Sequence, residues 1–195
     1  MTLSRFKDKH KGLPVVILAN GASLLKHDLS RLGIMTMTMN RSWLCVPWPD
    51  YHVCLETKHL RDFPQVYDRL AKEGKLFVAG PWPLGHCIPI LSERVTKFSR
   101  DLESGVVTQI GDVGSVAYAA LQVAAYMGFA PIYFLGLDLS GPHFHGQWET
   151  SKRISAQDSL FRHTPSDVKV YNVGSPESLC TAFPKLTFDQ MMEAA

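Results

Sequence analysis

Small and polar residues follow three apolar runs in this 195-residue sequence, at positions where a ligand can be held. The residues at these three run ends are Asn20-Gly21, Asn40-Arg41 and Asp138. The stretch Asp112-Val113-Gly114-Ser115 opens the clearest helical pattern, and the first N–H groups of a helix form an anion site. Each feature taken alone also fits a turn or a helix cap. Their combination at one edge of a sheet predicts a ligand cleft.

Three histidines lie in the polar segment 141–167: His143, His145 and His163. A histidine titrates near neutral pH, so His163 is a candidate general base. His143 and His145 are two residues apart, and in a strand they would share a face as two metal ligands do. No third ligand stands at a diagnostic spacing, so a loop with two exposed or hydrogen-bonded histidines is the main alternative to a metal site.

The apolar runs have the length and the β-branched or aromatic content of buried strands. Six strands are predicted, over residues 14–20, 34–40, 51–56, 75–80, 131–138 and 168–174. Most of them are apolar on both faces, as expected of a parallel sheet that is covered on both sides. The stretch 81–112 is less clear and fits a strand with flanking loops.

Apolar residues at helical spacing separate these strands. Helices are predicted over 23–32 with Ser23 as the N-cap, over 63–74, over 114–128 and over a short stretch at the carboxyl end. The alternation of strands and helices predicts a single three-layer α/β domain with a mainly parallel sheet. The basic opening stretch 1–12 is interpreted as a solvated lead-in, and the long segment 141–167 as a lid loop.

The position of the cleft follows from the general behaviour of open parallel sheets. Their ligands bind beyond the carboxyl ends of the strands, where the strand order reverses. We therefore expect the first strand to lie near the middle of the sheet. We also expect helix 114–128 to point its amino end at the same edge as Asn20 and Gly21.

Composition excludes several classes of partner. The formal net charge of +2 and the lack of a basic cluster with interleaved aromatics argue against nucleic acid. No apolar stretch reaches the ~18–20 residues of a membrane span, and the first residues lack the apolar core of a signal peptide. The four cysteines have no C-x-x-C spacing, which predicts free thiols in a reducing cytoplasm rather than a zinc site or disulfides. The sequence does not exclude a homo-oligomer.

Several well-known catalytic fingerprints are absent from the sequence. It contains no G-x-G-x-x-G dinucleotide fingerprint, no P-loop lysine after a glycine-rich loop and no G-x-S-x-G elbow. Dehydrogenase, P-loop and hydrolase chemistry are therefore not expected.

Three stretches taken together resemble a family of bacterial enzymes. They are "ILANGASL" at 17–24, "TMTMNRSW" at 36–43 and "GDVGSVAYAALQVAAYMGFAPIYFLGLDLS" at 111–140, and the tail 168–191 is also similar. The pattern resembles bacterial sialyltransferases and the wider family of motility-associated flagellin glycosyltransferases, over about residues 12–192. The resemblance implies a Rossmann-like domain that binds a CMP-activated nonulosonic, sialic-acid-like sugar without a metal and transfers it to an unknown hydroxyl acceptor.

The same resemblance implies roles for individual residues. Asn20, Gly21 and Ser23 would line the nucleotide and phosphate site, and Asn40 would hydrogen-bond the donor. Two further pairs would contact the donor's charged groups and its nucleoside: Gly114 and Ser115 at the phosphate or carboxylate, Gly136 and Asp138 at the cytidine and ribose. A histidine of the lid would act as general base, either His163 or, in its place, His143 or His145.

The sequence departs from the sialyltransferases at two places. Leu139-Ser140 stands where they carry Phe-Tyr, and Asp112 stands near a site that should attract anions, although a carboxylate repels a phosphate unless a cation or proton intervenes. The wider family also resembles an archaeal pterin diphosphokinase, which needs Mg²⁺; Asp112 and Asp138 would then be metal ligands. A non-catalytic nucleotide- or sugar-binding domain is the third possibility.

Overall fold

A mainly parallel sheet forms the centre of the molecule. The computed structural model describes residues 3–79, 88–90, 109–110, 113–146 and 157–195. The strands are β1 (Val15–Leu18), β2 (Met35–Met39), β3 (Tyr51–Cys54), β4 (Leu76–Ala79), β5 (Ile88–Ile90), β6 (Gln109–Ile110), β7 (Val113–Gly114), β8 (Ile132–Leu135), β9 (Val170–Val173) and β10 (Lys185–Leu186). The helices are α1 (Thr57–Asp62), α2 (Pro64–Lys72), α3 (Val116–Tyr126) and α4 (Phe188–Ala194).

The strand order confirms the predicted topology. Within the described residues, eight strands pair in parallel in the order β10-β9-β8-β1-β2-β3-β4-β5, and β6 pairs antiparallel with β7. The first strand lies in the middle, with β2 on one side and β8 on the other. The chain therefore reverses its direction of sheet growth between β1 and β8, which is the switch point of a Rossmann-like fold.

Helices and turns cover both faces of the sheet, so the architecture has three layers as predicted. Val15 and Ile17 of β1 pack into the core beneath α3, whereas Val16 and Leu18 pack with Leu24 and with residues of α4. On the same side as α4, Tyr67 and Leu70 of α2 cover β3 and β4. The burial of all four β1 residues explains why its sequence is continuously apolar.

The direction of α3 follows from its two ends. The Ser115 hydroxyl caps the helix by accepting a hydrogen bond from the Tyr118 N–H at 3.3 Å. The helix ends before Gly128, whose φ is +82° and whose carbonyl accepts the Gly12 N–H at 2.8 Å, just before β1 begins. The carboxyl end of α3 is thus at the amino edge of the sheet, and its amino end is at the carboxyl edge.

The predicted helix over 23–32 is wrong. Two 3₁₀ turns, Ala22–Lys26 and Leu29–Arg31, replace it. Ser23 does not cap a helix, because its N–H and hydroxyl both donate to the Asp138 carboxylate. Leu24 is a buried member of the leucine pattern that suggested a continuous helix, but no local pattern indicates that Ser23 pairs with the distant Asp138.

The opening stretch is more than a solvated lead-in. Its charged residues are exposed, but Phe6 is fully buried and packs edge-on against Phe77, with ring centroids 5.1 Å apart. His10 stacks on Phe129 and is hydrogen-bonded to the Tyr51 hydroxyl at 2.7 Å. This stretch therefore closes the amino edge of the core. No helix among the described residues has the length and hydropathy that crossing a bilayer requires.

Candidate functional site

The carboxyl ends of β1 and β8 meet at the switch point of the sheet. The two strands are neighbours in register, with Leu18 opposite Leu135. Beyond them the Gly21 N–H donates to the Gly136 carbonyl at 2.8 Å, so the two chain segments continue side by side past the sheet. Residues from two distant parts of the sequence therefore form one edge, as the sequence predicted for Asn20, Gly21 and Asp138.

Asp138 is anchored at this edge by Ser23. Its side chain is buried, and Oδ2 accepts the Ser23 backbone N–H at 2.9 Å while Oδ1 accepts the Ser23 hydroxyl. The backbone carbonyl of Asp138 accepts the Leu179 N–H at 2.7 Å, which adds the loop after β9 to the same edge. The carboxylate is thereby fixed in orientation before any ligand arrives.

Close packing explains the two glycines of this edge. A Cβ on Gly21 would collide with the Gly136 carbonyl oxygen and with the Asp138 carboxylate, closer than real Cβ atoms approach. Gly136 has a φ of +75°, which an L side chain rarely adopts, and a Cβ there would lie 3.1 Å from that of Leu24. Both residues are glycine because the backbone of β1 and β8 converges here.

Asn20 presents an unsatisfied polar atom at the edge. Its side chain is 7% exposed, and within the described residues its Oδ1 has no hydrogen-bond partner. Its backbone carbonyl is used by the Phe144 N–H, at 2.8 Å. A buried amide oxygen without a partner costs free energy, and a ligand that donates a hydrogen bond to it would remove that cost.

The two neighbouring histidines are brought to the same edge. Residue 143 forms an isolated antiparallel bridge with Gly21, so His143 lies beside the end of β1. The rings of His143 and His145 have centroids 5.2 Å apart. Burial lowers the pKa of His145 to about 4, and the charges of His143 and Arg41 act in the same direction. In the described part of the chain, no three histidine, cysteine or acidic side chains are grouped so that they could hold a metal ion.

Asn40, at the end of β2, is held by a buried polar chain. Its φ is +50°, and its carbonyl accepts the Tyr67 hydroxyl at 2.9 Å. Tyr67 is hydrogen-bonded to His52 at 3.3 Å, and the other ring nitrogen of His52 is bonded to Thr38 at 2.8 Å. Burial lowers the pKa of His52 to about 3, so its ring is neutral. The sequence pattern did not reveal this chain, because its members lie on two strands and a helix.

Ser115 is buried at the amino end of α3, directly after Gly114 of β7. The orientation of α3 places this end at the carboxyl edge of the sheet, together with Asn20 and Gly21, as predicted. Its first N–H groups point along the helix axis toward that edge. Asp112 lies outside the described residues. So do residues 80–87, 91–108 and 147–156, which include most of the unclear stretch 81–112 and part of the predicted lid loop 141–167.

His163 occupies a different place. It is exposed, its N–H donates to the Leu160 carbonyl at 3.1 Å, and it belongs to the turn that leads into the amino end of β9. Among the contacts between described residues, none joins His163 to Asn20, Gly21 or Asp138. Its role as general base stays a prediction.

A basic and aromatic group lies at the ends of β2 and β3. The sequence placed Arg41 at the end of a predicted strand but did not predict the other members of this group. Arg41 donates to Asp62 at 3.0 Å and lies over the ring of Phe63, 5.4 Å from its centroid. His59 of α1 is buried, and burial lowers its pKa. Arg41 and His59 both influence the pKa of His145, which connects this group to the edge that carries Asn20.

The chain matches no protein-family model and no curated protein sequence. Solved structures share its fold. The MAf glycosyltransferase from Magnetospirillum magneticum AMB-1 superimposes with a TM-score of 0.64 at 15% identity, over 96% of this chain and 37% of that one. This chain therefore spans little more than a third of that protein. The sialyltransferase CST-II, solved with a trisaccharide acceptor and CMP, superimposes with a TM-score of 0.58 at 15% identity, over 89% of this chain and 85% of that one.

Proposed function

We propose that this protein is a glycosyltransferase that uses a CMP-activated nonulosonic sugar as donor and needs no metal. The observation that carries the proposal is the arrangement at the switch point. There Asn20, whose Oδ1 has no hydrogen-bond partner among the described residues, lies beside Gly21 and the anchored Asp138. The fold is shared with two glycosyltransferases, one of them solved with CMP, which supports the choice of nucleotide.

In this proposal, different residues of the edge bind different parts of the donor. Asn20, Gly21 and Ser23 line the nucleotide and its phosphate, and Asn40 hydrogen-bonds the donor. Gly136 and Asp138 lie at the cytidine and ribose. Although both Asp138 oxygens already accept bonds from Ser23, each carboxylate oxygen has a further lone pair for a ribose hydroxyl.

The charged part of the donor is assigned to the amino end of α3. Gly114 and Ser115 present N–H and hydroxyl groups to its phosphate or carboxylate. The partial positive charge of a helix amino end favours an anion there, most of all when water is excluded.

The transfer itself requires a proton acceptor. The acceptor hydroxyl oxygen forms a bond to the anomeric carbon, the bond from that carbon to the CMP phosphate oxygen breaks, and the hydroxyl proton passes to a base. We assign the base to the pair His143 and His145, because that pair adjoins Asn20 and Gly21. With a pKa of about 4, His145 is neutral at pH 7, so one of its ring nitrogens carries a lone pair that can accept the proton. His163 is the third candidate.

Two alternatives compete with this proposal. A Mg²⁺-dependent diphosphokinase would use Asp112 and Asp138 as metal ligands. A binding domain without catalysis would keep the same edge.

A thermal-shift panel of CMP, CDP, ATP and GTP, each with and without Mg²⁺, separates the glycosyltransferase, the diphosphokinase and the binding domain. The glycosyltransferase predicts a metal-free response to CMP, the diphosphokinase a Mg²⁺-dependent response to ATP. Catalysis is then tested by release of CMP from CMP-sialic acid, which a binding domain would not perform.

A further inference from the structure

Four buried nitrogen atoms near the carboxyl ends of β2 and β3 lack hydrogen-bond partners within the described residues. They are Arg41 Nε, Trp43 Nε1, His59 Nδ1 and His145 Nδ1. His59 is only 5% exposed, so water cannot readily satisfy it. Four such atoms in one neighbourhood are more than the occasional unsatisfied group of a folded protein.

The chemistry of these atoms specifies what is missing. The Arg41 guanidinium and the Trp43 indole can only donate hydrogen bonds, and a neutral imidazole can present an N–H on either ring nitrogen. Asp62 accepts from Arg41 Nη2 at 3.0 Å, whereas Arg41 Nε has no acceptor in the part of the chain that the structure describes. The missing partner of Arg41 and Trp43 is therefore an acceptor, a neutral imidazole can donate to it as well, and a charged guanidinium favours an acceptor that carries negative charge.

Aromatic packing fixes the two donors. The Arg41 guanidinium lies 5.4 Å from the Phe63 ring centroid, and the Trp43 ring meets the same phenyl ring edge-on at 5.4 Å. Phe63 thus separates α1 from α2 and holds both donors beside the end of β2. A preorganised site of this kind needs little rearrangement to accept a ligand.

We propose that Arg41, Trp43, His59 and His145 form an oxyanion subsite that binds a carboxylate or phosphate group of a ligand. The subsite is separate from the nucleotide site at Asn20 and Asp138, and it adjoins that site through His145. The inference stands without the proposed function. With it, the subsite takes an anionic group of the donor sugar or of an acidic acceptor.

The charged groups around His59 and His145 predict a further measurable effect of anion binding, a change in the pKa of both rings. Glu56 lies 4.0 Å from His59 Nε2, and Asp62, Lys58 and Arg41 also act on that ring. His145 is influenced by His143, Arg41 and His59. An added anion favours the protonated form of both rings, so binding raises the pKa of His59 and of His145.

The test uses the full-length protein with inorganic phosphate and with acetate as separate probes. NMR follows the Trp43 indole N–H and the His59 ring signals during each titration. The proposal predicts saturable shifts with at least one probe, and Arg41→Gln weakens binding by about tenfold or more, the usual effect of losing a charge-assisted hydrogen bond. A response to phosphate only, to acetate only or to both identifies the group that the subsite accepts.

Arg31→Gln is the matched control, because Arg31 is also ion-paired at 3.0 Å, with Asp189, and lies 5.3 Å from a phenylalanine centroid. It leaves the titration unchanged. Trp43→Phe removes one donor without touching Arg41 and tests the subsite again if Arg41→Gln fails to fold. Absence of saturable shifts with both probes, or equal affinity in wild type and both subsite variants, overturns the proposal. CMP binding is measured on the same samples, so failure of the proposed function is seen separately.

Discussion

Asp138 accepts hydrogen bonds from both the backbone N–H and the hydroxyl of Ser23, although the two residues are 115 positions apart in the sequence. This pair fastens the end of β8 to the end of β1 at the switch point of the sheet. The anchored carboxylate and the converging backbone together shape the edge at which we place the nucleotide.

Replacing the anchoring carboxylate should destabilise the fold. Asp138→Ala removes two hydrogen bonds to a buried charge and leaves the Ser23 N–H without its acceptor, so we expect the free energy of unfolding to fall by about 2–3 kcal/mol. Asp28 makes the same two kinds of bond to Ser30 at an exposed site, and Asp28→Ala is the matched control with a smaller loss. Urea denaturation measures both; equal losses would contradict a special anchoring role for Asp138.

The close approach at Gly21 gives a second prediction. A Cβ there meets the Gly136 carbonyl and the Asp138 carboxylate, so Gly21→Ala should lower the free energy of unfolding by about 1–3 kcal/mol. Gly33 is the control, since nothing lies within 4 Å of a Cβ built on it. Gly33→Ala should be neutral or slightly stabilising. Thermal unfolding compares the two, and equal stability of Gly21→Ala and wild type would contradict the close approach of the two strand ends.

The buried ring of His52 predicts a loss of stability in acid. Its pKa is about 3 in the folded protein and about 6.5 in the unfolded chain, so between these pH values the unfolded chain binds more protons. Stability is therefore unaffected by this group above pH 6.5 and falls as the pH decreases. We expect His52 to account for about 2 kcal/mol lost between pH 7.5 and 5.

The contribution of His52 is isolated by a variant that cannot titrate. His10, His59 and His145, whose pKa values burial also lowers, add to the total slope, so the comparison is between wild type and His52→Asn. The variant should show a flatter dependence of unfolding free energy on pH, whatever its stability at pH 7.5. Parallel curves would contradict a neutral, buried His52.

The assignment of the base predicts a ranking of three variants. With a substrate that turns over, loss of the general base should lower kcat by roughly 10²–10⁴-fold and leave nucleotide affinity nearly unchanged. We expect this loss in His143→Ala or His145→Ala. His163 lies in the turn before β9, and His163→Ala should be close to wild type. The opposite ranking would move the base to His163 and overturn our assignment.

Much of the fold was predictable because it depends on local patterns. The six longer strands have apolar runs, α3 has an apolar stripe that ends at Gly128, and the alternation of strands and helices leaves few topologies for a parallel sheet. The cluster of Asn20, Gly21 and Asp138 followed from the rule that carboxyl ends of parallel strands share an edge.

The remaining features depend on contacts between distant residues. Ser23 resembles a helix cap in sequence, yet its partner is Asp138, and no local pattern distinguishes the two. Strand β10 has only two residues, too few for a periodic signal. The group around Arg41 and His59 arises because β2 and β3 are neighbours, which the sequence indicates only after the strand order is known.

Calorimetric titration with CMP in the absence of Mg²⁺ tests the central claim most directly. Wild-type protein should bind CMP saturably, and Asn20→Ala should bind about tenfold more weakly because one hydrogen bond to the ligand is lost. Thr164 also has a buried, unpartnered polar atom among the described residues, but it lies before the amino end of β9, so Thr164→Val should bind CMP like wild type. Absence of CMP binding by the wild-type protein, or equal affinity in wild type and Asn20→Ala, would contradict a cytidine nucleotide site at the end of β1.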